Sequence, residues 1–251
     1  MNKFKVLMKV VELGSLTKAA EAMGFTQSGV SHMINSLEDE FGFTLLIRSR
    51  SGTKLTTNGE EIVKTIREIL KWNEHLDQKV ASIHGIELGT IHIGTFTSVA
   101  VHWLPSIIKD FQQDYPHIEI RLAEGDYREI EDWIAEGRID CGFLSLPTWD
   151  VFDAMPLHQD PMLVLLPMEH PLSSQASIRL SQIENEPFIM PSKGSDDDVN
   201  RVLERASTKP DIKYTVGDDY AIMAMVEKGL GISILPELVL RGQRRNIRLV
   251  E

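Results

Sequence analysis

The stretch from residue 15 to residue 48 constrains the fold more than any other, because it has the pattern of two short helices joined by a tight turn. A helix-forming run, KAAEAM, follows the candidate N-caps Ser15 and Thr17 and ends at Gly24. Thr26 is the candidate N-cap of a second helix, in which apolar residues recur at helical spacing. These apolar residues are Val30, Ile34, Leu37 and Phe41. The pattern predicts a helix-turn-helix.

The opposite face of the second helix carries short hydrogen-bonding side chains. In a recognition helix such side chains meet base edges in the major groove, and the N-terminal N–H groups favour a phosphate. A solvated helical hairpin with a polar outer face has the same composition and is the alternative interpretation. The candidate DNA-contacting residues on this helix are Thr26, Gln27, Ser28, Ser31, His32 and Asn35.

A basic segment follows the second helix. Arg48, Arg50 and Lys54 flank a turn-rich loop, and residues 54–56 are expected to return as a short extended arm, which makes a basic wing. Cations beside a polar helix suit phosphate contacts, which position a protein on DNA without determining sequence. Taken alone, the segment could equally be three unrelated cations on the surface rather than a DNA-contacting wing.

Residues 57–89 are predicted to form a long connecting helix. Thr57 and Glu60 have the spacing of a capping box, with Thr57 as the N-cap. Apolar residues then alternate steps of four and three, and one polar member, Asn73, is of the kind that fixes register. The alternative is that this stripe packs on its own domain, but a helix of about 27 residues is about 40 Å long, more than a small winged domain covers. We therefore expect the seam to pair with a second copy. The seam comprises Ile62, Ile66, Ile69, Asn73, Leu76, Val80 and Ile83.

From residue 89 onward, strand-like apolar runs alternate with amphipathic helical segments. This order predicts parallel strands joined by right-handed crossovers, arranged as two α/β subdomains. The predicted strands are 90–94, 118–123, 139–144, 162–166, 188–190, 212–216 and 232–235, and the predicted helices are 103–115, 130–136, 199–206 and 221–227.

Ligands of open α/β sheets bind beyond the carboxyl ends of the strands, so a small-molecule site is expected between the two subdomains. Taken singly, Thr97 and Ser98 could be helix caps as readily as ligand contacts. The hypothesis of a ligand site therefore rests on the convergence of several loops at this place. Carboxylates at 126, 196–198 and 218–219 favour a zwitterionic, neutral or cationic ligand, although Asp also commonly begins helices. The candidate ligand-binding residues are Thr97, Ser98, Val99, Asp126, Leu146, Pro147, Pro191, Ser192 and Asp218.

The only cysteine is Cys141, which excludes a disulfide within one chain. It lies in an apolar run of strand length, so we expect a buried structural thiol. The eight histidines have no spacing suited to zinc, and neither a metal nor another cofactor is expected. The net charge of −11 is the sum of −12 in residues 86–251 and +1 in residues 1–85, so any binding to DNA depends on the local basic patch.

Several classes of protein lack support in the sequence. There is no phosphate loop, HExxH motif, nucleophile elbow or ordered Ser/His/Asp set, so no catalytic residues are assigned and an enzyme is not expected. No apolar stretch reaches transmembrane length, and the N-terminus lacks the apolar core of a signal peptide, so we expect a cytoplasmic protein. A solute-binding uptake protein would need such a signal.

The N-terminal sixty residues resemble the DNA-binding domain of LysR-type transcriptional regulators. The resemblance rests on VELGSLTKAA at 11–20 and on ordered matches at Phe4, Thr26-Gln27-Ser28, Ser31, Leu37-Glu38, Gly42, Leu45-Leu46, Arg48, Leu55-Thr56 and Gly59. Family members more often carry Pro, Ala, Gln and a basic residue where this chain has Ser28, Gly29, Met33 and Asn35. A sequence preference different from that of a typical member is therefore expected.

The second half resembles the effector-binding domain of the same family, which is built like a periplasmic binding protein. The matching pieces include GTIHIG at 89–94, GRID at 137–140 and GLGISILP at 229–236. The resemblance implies three partners: double-stranded operator DNA, a small-molecule effector of unknown identity, and further copies of the chain in a dimer or tetramer. No membrane partner is implied.

Together these patterns predict an α/β protein in three parts: a winged helix-turn-helix domain at 1–57, a linker and dimerisation helix at 58–86, and a two-lobed effector-binding domain at 87–251. The hinge is expected near 146–161 and 234–251, and the C-terminal part of the domain is expected to be missing. The predicted function is a transcriptional regulator whose operator binding is modulated by an effector bound between the lobes. The alternative is a solute-binding or catalytic protein of the same two-lobed fold.

Overall fold

The computed structural model describes residues 1–49, 52–83 and 88–251. Arg50, a predicted DNA contact, and residues 84–86 of the predicted linker lie outside these ranges. The chain divides into two compact units: Met1–Ile91 with Tyr115–Glu119 and Ala135–Asp140, and His92–Asp114 with Ile120–Ile134 and Cys141–Glu251. Within the described ranges, no helix has both the length and the apolar character needed to span a membrane.

The N-terminal domain is a winged helix-turn-helix. Its elements are α1 (Asn2–Leu13), α2 (Leu16–Met23), α3 (Gln27–Phe41), β1 (Leu46–Ser49) and β2 (Gly52–Leu55), and the two strands pair antiparallel. Of the two candidate caps of α2, Ser15 is used: its hydroxyl accepts from the Lys18 N–H at 3.3 Å. Thr26 caps α3 by accepting from the Gly29 N–H at 3.1 Å. Gly24, at a φ of 69°, makes the turn between the helices, where a side chain would be strained.

The core of this domain is built where the periodicity predicts it. Val30, Ile34 and Leu37 of α3 are buried against apolar side chains of α1 and α2, and Phe41 packs at the margin. Burial of each such side chain stabilises the domain by about 1.5–3 kcal/mol relative to leaving it exposed. The orientation of α3 follows from this stripe, because a helix buries one face and presents the other to solvent.

The long helix α4 (Thr57–Ile83) begins one residue earlier than the predicted capping box requires. The hydroxyl of Thr56, not that of Thr57, accepts from the Gly59 N–H at 2.9 Å, and it donates to the Thr44 carbonyl at 2.8 Å. The second contact explains the correction, because only the Thr56 side chain caps the helix while binding the segment that precedes β1. From the sequence alone, Thr56 and Thr57 are equally good candidates for the N-cap, because this tertiary contact is not visible there.

Replacing Gly59 by alanine is expected to destabilise the N-terminal domain by about 2 kcal/mol, the usual cost of overpacking. A Cβ at this position would overlap the Leu45 carbonyl oxygen, which is backbone and cannot rotate away. Urea unfolding of the full chain, followed by hydrogen exchange of α3 amides, measures the change. The matched control is Gly24→Ala, where no atom lies within 4 Å and only the positive φ opposes the substitution. An unchanged stability of Gly59→Ala would contradict the close packing of α4 on Leu45.

The predicted seam of α4 is divided between two environments. Ile66 is only 2% exposed and lies in the core of the winged domain together with Val63, while Ile62 and Leu70 pack against that core. The prediction that Ile62 and Ile66 face a second copy is therefore corrected, since the winged domain itself covers the first half of the helix. The apolar residues exposed on the second half are Ile69, Trp72, Leu76, Val80 and Ile83.

The rest of the chain forms two α/β lobes. The first contains β3 (Gly89–Thr95), α5 (Thr97–His102), α6 (Leu104–Asp114), β4 (Ile118–Glu124), α7 (Tyr127–Ala135) and β5 (Cys141–Gly142). The second contains β6 (Met162–Pro167), a 3-10 turn at Leu180–Ile183, β7 (Pro187–Pro191), α8 (Asp197–Arg205), β8 (Asp211–Val216), α9 (Asp219–Glu227), β9 (Ser233–Pro236), α10 (Glu237–Leu240) and β10 (Ile247–Val250). The strand orders are β4-β3-β5, β10-β6-β9 and β7-β8.

The second lobe is not wholly parallel, in contrast to the prediction. β7 and β8 are parallel, as are β3 and β5, but β6 pairs antiparallel with both β9 and β10. The end of β9 lies beside the start of β6, since the Glu237 N–H donates to the Pro161 carbonyl at 2.8 Å. Paired strands that lie end to start run in opposite directions, and the chain returns after α10 to add β10 along the other edge of β6.

Cys141 is exposed, so the prediction of a buried thiol is wrong. The predicted six-residue strand is reduced to the two residues of β5, which is the edge strand of its sheet. An edge strand is covered on one side only, and the apolar neighbour Ile139 is buried instead. A run of apolar letters does not show which of its members faces the core.

Candidate functional site

The first candidate site is the exposed face of α3. Gln27, Ser28, His32 and Asn35 are exposed, and Ser31 is partly exposed. Thr26 is also exposed, but its hydroxyl caps the helix and lies 3.2 Å from that of Ser28. The six predicted residues therefore share one surface at the N-terminal half of the helix.

Arg48 connects the wing to this face. From β1 its guanidinium donates to the Ser31 hydroxyl at 2.9 Å and to the Asn35 side-chain oxygen at 2.5 Å. Two residues of the polar face and one wing cation thus form a single hydrogen-bonded group. Lys54 is exposed on β2, opposite Ile47 in the hairpin register.

A residue absent from the predicted site, Glu38, holds this group in place. One carboxylate oxygen accepts from the N–H groups of Leu45 and Leu46, at 2.6 and 3.1 Å, and the other lies 3.8 Å from the Arg48 guanidinium. The side chain is only 14% exposed. The adjacent Leu37-Glu38 pair was the available sequence signal, but nothing local indicates that Glu38 binds the wing.

The second candidate site is a cavity of about 410 Å³ within the two-lobed unit. Six predicted ligand-binding residues line it: Thr97, Ser98, Asp126, Pro191, Ser192 and Asp218. Asp198 and Asp219, which were predicted only as carboxylates near the cleft, also line it. The other lining residues are Phe96, Glu124, Gly125, Tyr127, Glu129, Met162, Ser195, Val199, Gly217, Tyr220, Leu235, Pro236 and Val239.

Three predicted ligand contacts do not line the cavity. Val99 is 2% exposed and packs with Leu104 and Leu238, because it lies on the core side of α5. Leu146 and Pro147 are exposed. The backbone of Leu146, rather than its side chain, makes the local contact, since its carbonyl accepts from the Arg201 guanidinium at 2.6 Å.

The first turn of α5 contributes hydroxyls to the cavity. The N-cap is Phe96, and neither Thr97 nor Ser98 caps the helix, so the interpretation of these residues as plain caps is wrong. Ser98 is buried and Thr97 is exposed. Thr97 lies one position and Ser98 two positions beyond the cap, Phe96, whose ring meets that of Tyr127 edge-on at 5.0 Å.

Asp198, in the first turn of α8, gathers donors from both lobes. It accepts from the Ser145 hydroxyl at 2.5 Å, from the Tyr127 hydroxyl and from the Arg201 guanidinium. Burial, followed by the charge of Asp198, raises the pKa of Tyr127, so this hydroxyl stays protonated and donates. The group joins the end of the first lobe to α8 of the second.

Carboxylates dominate the charge of the cavity. Asp126 and Glu129 cap each other's backbone, with N–H to carboxylate distances of 2.8 and 3.0 Å, and Asp218 accepts from the Ala221 N–H at 2.9 Å. Burial, followed by the charge of Asp218, raises the pKa of Asp219 to about 6. None of the described residues that line the cavity is Lys, Arg or His.

Two of the three residues in the acidic run 196–198 make contacts outside the cavity. Asp196 accepts from the Gly194 N–H at 3.0 Å and from the Asn200 amide at 2.9 Å. Asp197 forms an ion pair with Arg128 at 3.0 Å. Only Asp198 of this run lines the cavity.

Comparison with known proteins covers almost the whole chain. Residues 1–60 match the family model of the bacterial regulatory helix-turn-helix protein, lysR family, and residues 84–251 match the LysR substrate binding domain. The chain is 37% identical over 243 residues to the uncharacterized HTH-type transcriptional regulator YvbU of Bacillus subtilis (strain 168), covering 96% of this chain and 83% of that protein.

Two solved structures share the fold. A full-length variant of OxyR from Pseudomonas aeruginosa superposes with a TM-score of 0.73 at 22% identity, covering 99% of this chain and 82% of that one. Full-length CbnR in complex with its target DNA superposes with a TM-score of 0.67 at 21% identity, covering 99% of this chain and 87% of that one.

Proposed function

Because the chain belongs to the LysR family of DNA-binding transcriptional regulators, we propose that it binds operator DNA through α3 and the wing. We propose further that a small molecule in the 410 Å³ cavity modulates this binding. The observation that carries the first proposal is the hydrogen-bonded group of Arg48, Ser31 and Asn35, which supports a fixed reading surface.

Within this proposal, residues of the DNA interface divide by role. Gln27 and Ser28 stand at the N-terminus of α3, where side chains meet base edges in the major groove. Lys54 and Arg48 on the wing supply phosphate contacts. These contacts are indispensable, because the net charge of −11 means that the molecule as a whole repels DNA. Arg50 belongs to the same predicted set.

Gln27→Ala is expected to change which sequences the protein selects, whereas Lys54→Ala is expected to weaken binding to all sequences by a similar factor. A base contact discriminates between bases by about 1–3 kcal/mol, while the loss of one phosphate contact lowers the salt slope by about 1. Selection of sites from random duplexes, followed by affinity measurement at several salt concentrations, distinguishes the two results. Selectivity left unchanged by Gln27→Ala would refute the proposed reading face.

We propose that two copies pair through the second half of α4. The exposed stripe of Ile69, Trp72, Leu76, Val80 and Ile83 supports this, since such a surface is costly to leave in water. Asn73, which donates to Asp77 at 3.2 Å, remains the polar member of the stripe. A dimer places two recognition helices on half-sites of one operator, and further assembly to a tetramer is part of the same proposal.

We propose that effector and operator binding are coupled by a change in the two lobes. Asp198, Ser145 and Arg201 support this, because the network they form across the lobes depends on how the lobes are arranged. Coupling is reciprocal, so an effector must bind with altered affinity when operator DNA is present. In this role the protein needs no catalytic turnover, and it acts in the cytoplasm, where bacterial operator DNA is found.

A further inference from the structure

We propose that the effector is an organic cation, a small molecule that carries at least one ammonium group and an apolar carbon skeleton. This inference rests on the proposed function of the cavity as the effector site. It concerns the chemical class of the ligand, which neither the family model nor the relatives specify.

The first argument is the charge of the walls. Among the residues that the structure describes, no lysine, arginine or histidine lines the cavity, whereas six carboxylates do. These are Glu124, Asp126, Glu129, Asp198, Asp218 and Asp219. Arg201 compensates Asp198 directly. Asp126, Glu129 and Asp218 are bonded to backbone N–H groups, which orient the carboxylates but do not neutralise them. Arg128, whose ion-pair partner is Asp197, also interacts with the charge of Asp126. An anionic ligand would enter a field of like charge, whereas an ammonium group would be attracted.

The second argument is the state of Asp219. This residue lies in the first turn of α9 and is partly buried, and its carboxylate accepts no hydrogen bond from any residue that the structure describes. A partly buried carboxylate without a donor is costly. An ammonium group supplies both the donor and the opposite charge, so the ligand completes an interaction that the protein leaves open.

The third argument is the remainder of the lining. Phe96, Met162, Val199, Leu235 and Val239 give the cavity an apolar wall, and Phe96, Tyr127 and Tyr220 add aromatic rings. Apolar walls bury a carbon skeleton, and aromatic faces attract ammonium groups. Among the described His, Cys, Asp and Glu side chains, no three converge as metal ligands would. Dispersed carboxylates beside apolar walls suit a polyatomic cation better than a metal ion.

The experiment titrates the full-length chain with linear α,ω-diamines of three to six carbons, followed by calorimetry and by the unfolding temperature. The matched diols, the matched dicarboxylates and MgCl₂ are the comparison compounds, all at equal ionic strength. We expect saturable binding by at least one diamine and none by the dicarboxylates or by Mg²⁺. Asp219→Asn should weaken diamine binding at least tenfold, and Glu124→Gln provides a second variant with the same expected direction.

The control variant is Asp132→Asn, on the same helix as Glu129 but exposed and outside the cavity, and it should bind diamines as the wild type does. Binding by the dicarboxylates or by Mg²⁺, failure of every diamine at 10 mM, or equal binding by wild type and Asp219→Asn would each overturn the cation proposal. Saturable, Asp219-dependent diamine binding that leaves operator affinity unchanged would instead support the ligand class and refute the proposed modulation.

Discussion

Replacing Glu38 by alanine should destabilise the N-terminal domain by about 3 kcal/mol and abolish sequence-specific DNA binding. One carboxylate oxygen of Glu38 accepts two backbone N–H groups, those of Leu45 and Leu46, and hydrogen bonds to a charged group contribute about 1.5–3 kcal/mol each. Because the side chain is only 14% exposed, truncation leaves these donors poorly solvated. It also removes the carboxylate nearest to Arg48, so the group that joins the wing to α3 loses its support.

The measurement is hydrogen exchange of α3 amides in the full chain, together with affinity for a selected operator. Glu38→Gln retains an oxygen acceptor and is expected to lose less stability than Glu38→Ala. Asp39→Ala, at the next and exposed position of the same helix, is the control for helix propensity and charge. If the α3 amides exchange at the same rate in Glu38→Ala and Asp39→Ala, the contacts of Glu38 with Leu45 and Leu46 contribute nothing to the stability of the domain.

Replacing Asp219 by asparagine is expected to stabilise the ligand-free effector-binding domain above pH 6 by up to about 3 kcal/mol, at about 1.4 kcal/mol per pKa unit. The pKa of Asp219 is about 6 in the folded chain, against a usual value of 3.8. The folded state therefore holds a proton that the unfolded state has lost between these values. The stability of the wild type falls as pH rises from 3.8 to about 6 and then levels off. The Asp219→Asn variant does not lose stability in this way, because asparagine does not titrate.

Urea unfolding at several pH values between 4 and 7.5, followed by tryptophan fluorescence, tests this prediction. Three of the four tryptophans, Trp103, Trp133 and Trp149, lie in the effector-binding region. The difference between Asp219→Asn and wild type should be small at pH 4 and largest at neutral pH. Asp132→Asn serves again as the surface control. A difference that does not grow between pH 4 and pH 6 would show that Asp219 is not desolvated.

The N-terminal domain was predictable because its signals are local. The Thr26 cap, the turn at Gly24 and the apolar stripe of α3 lie within a few residues of what they determine, and each is confirmed. The cap of α4 was misassigned by one residue, since Thr56 and Thr57 differ only in the tertiary contact to Thr44. The burial of Ile66 was missed for a similar reason: its spacing fits a seam and a domain core equally.

The cavity was only partly predictable, because its lining depends on which loops of two lobes converge. The rule for open sheets located the loops after the strands, and six of the nine named residues line the cavity. Tyr127 was missed, although it adjoins Asp126, which was named. Asp198 and Asp219 were predicted as carboxylates near the cleft but not as ligand contacts, and both line the cavity. Val99 was included wrongly because a sequence does not show which side of a six-residue helix faces the core.

The burial of the first half of α4 makes the helix and the winged domain one rigid arm. Val63 and Ile66 lie in the core of that domain, so the helix cannot turn about its own axis while α3 stays still. Its 27 residues make an arm about 40 Å long. A tilt of about 5° at the far end moves the domain by about 3.5 Å, close to the ~3.4 Å between successive nucleotides of a strand. A tilt of this size would therefore displace α3 by about one nucleotide step along a bound strand.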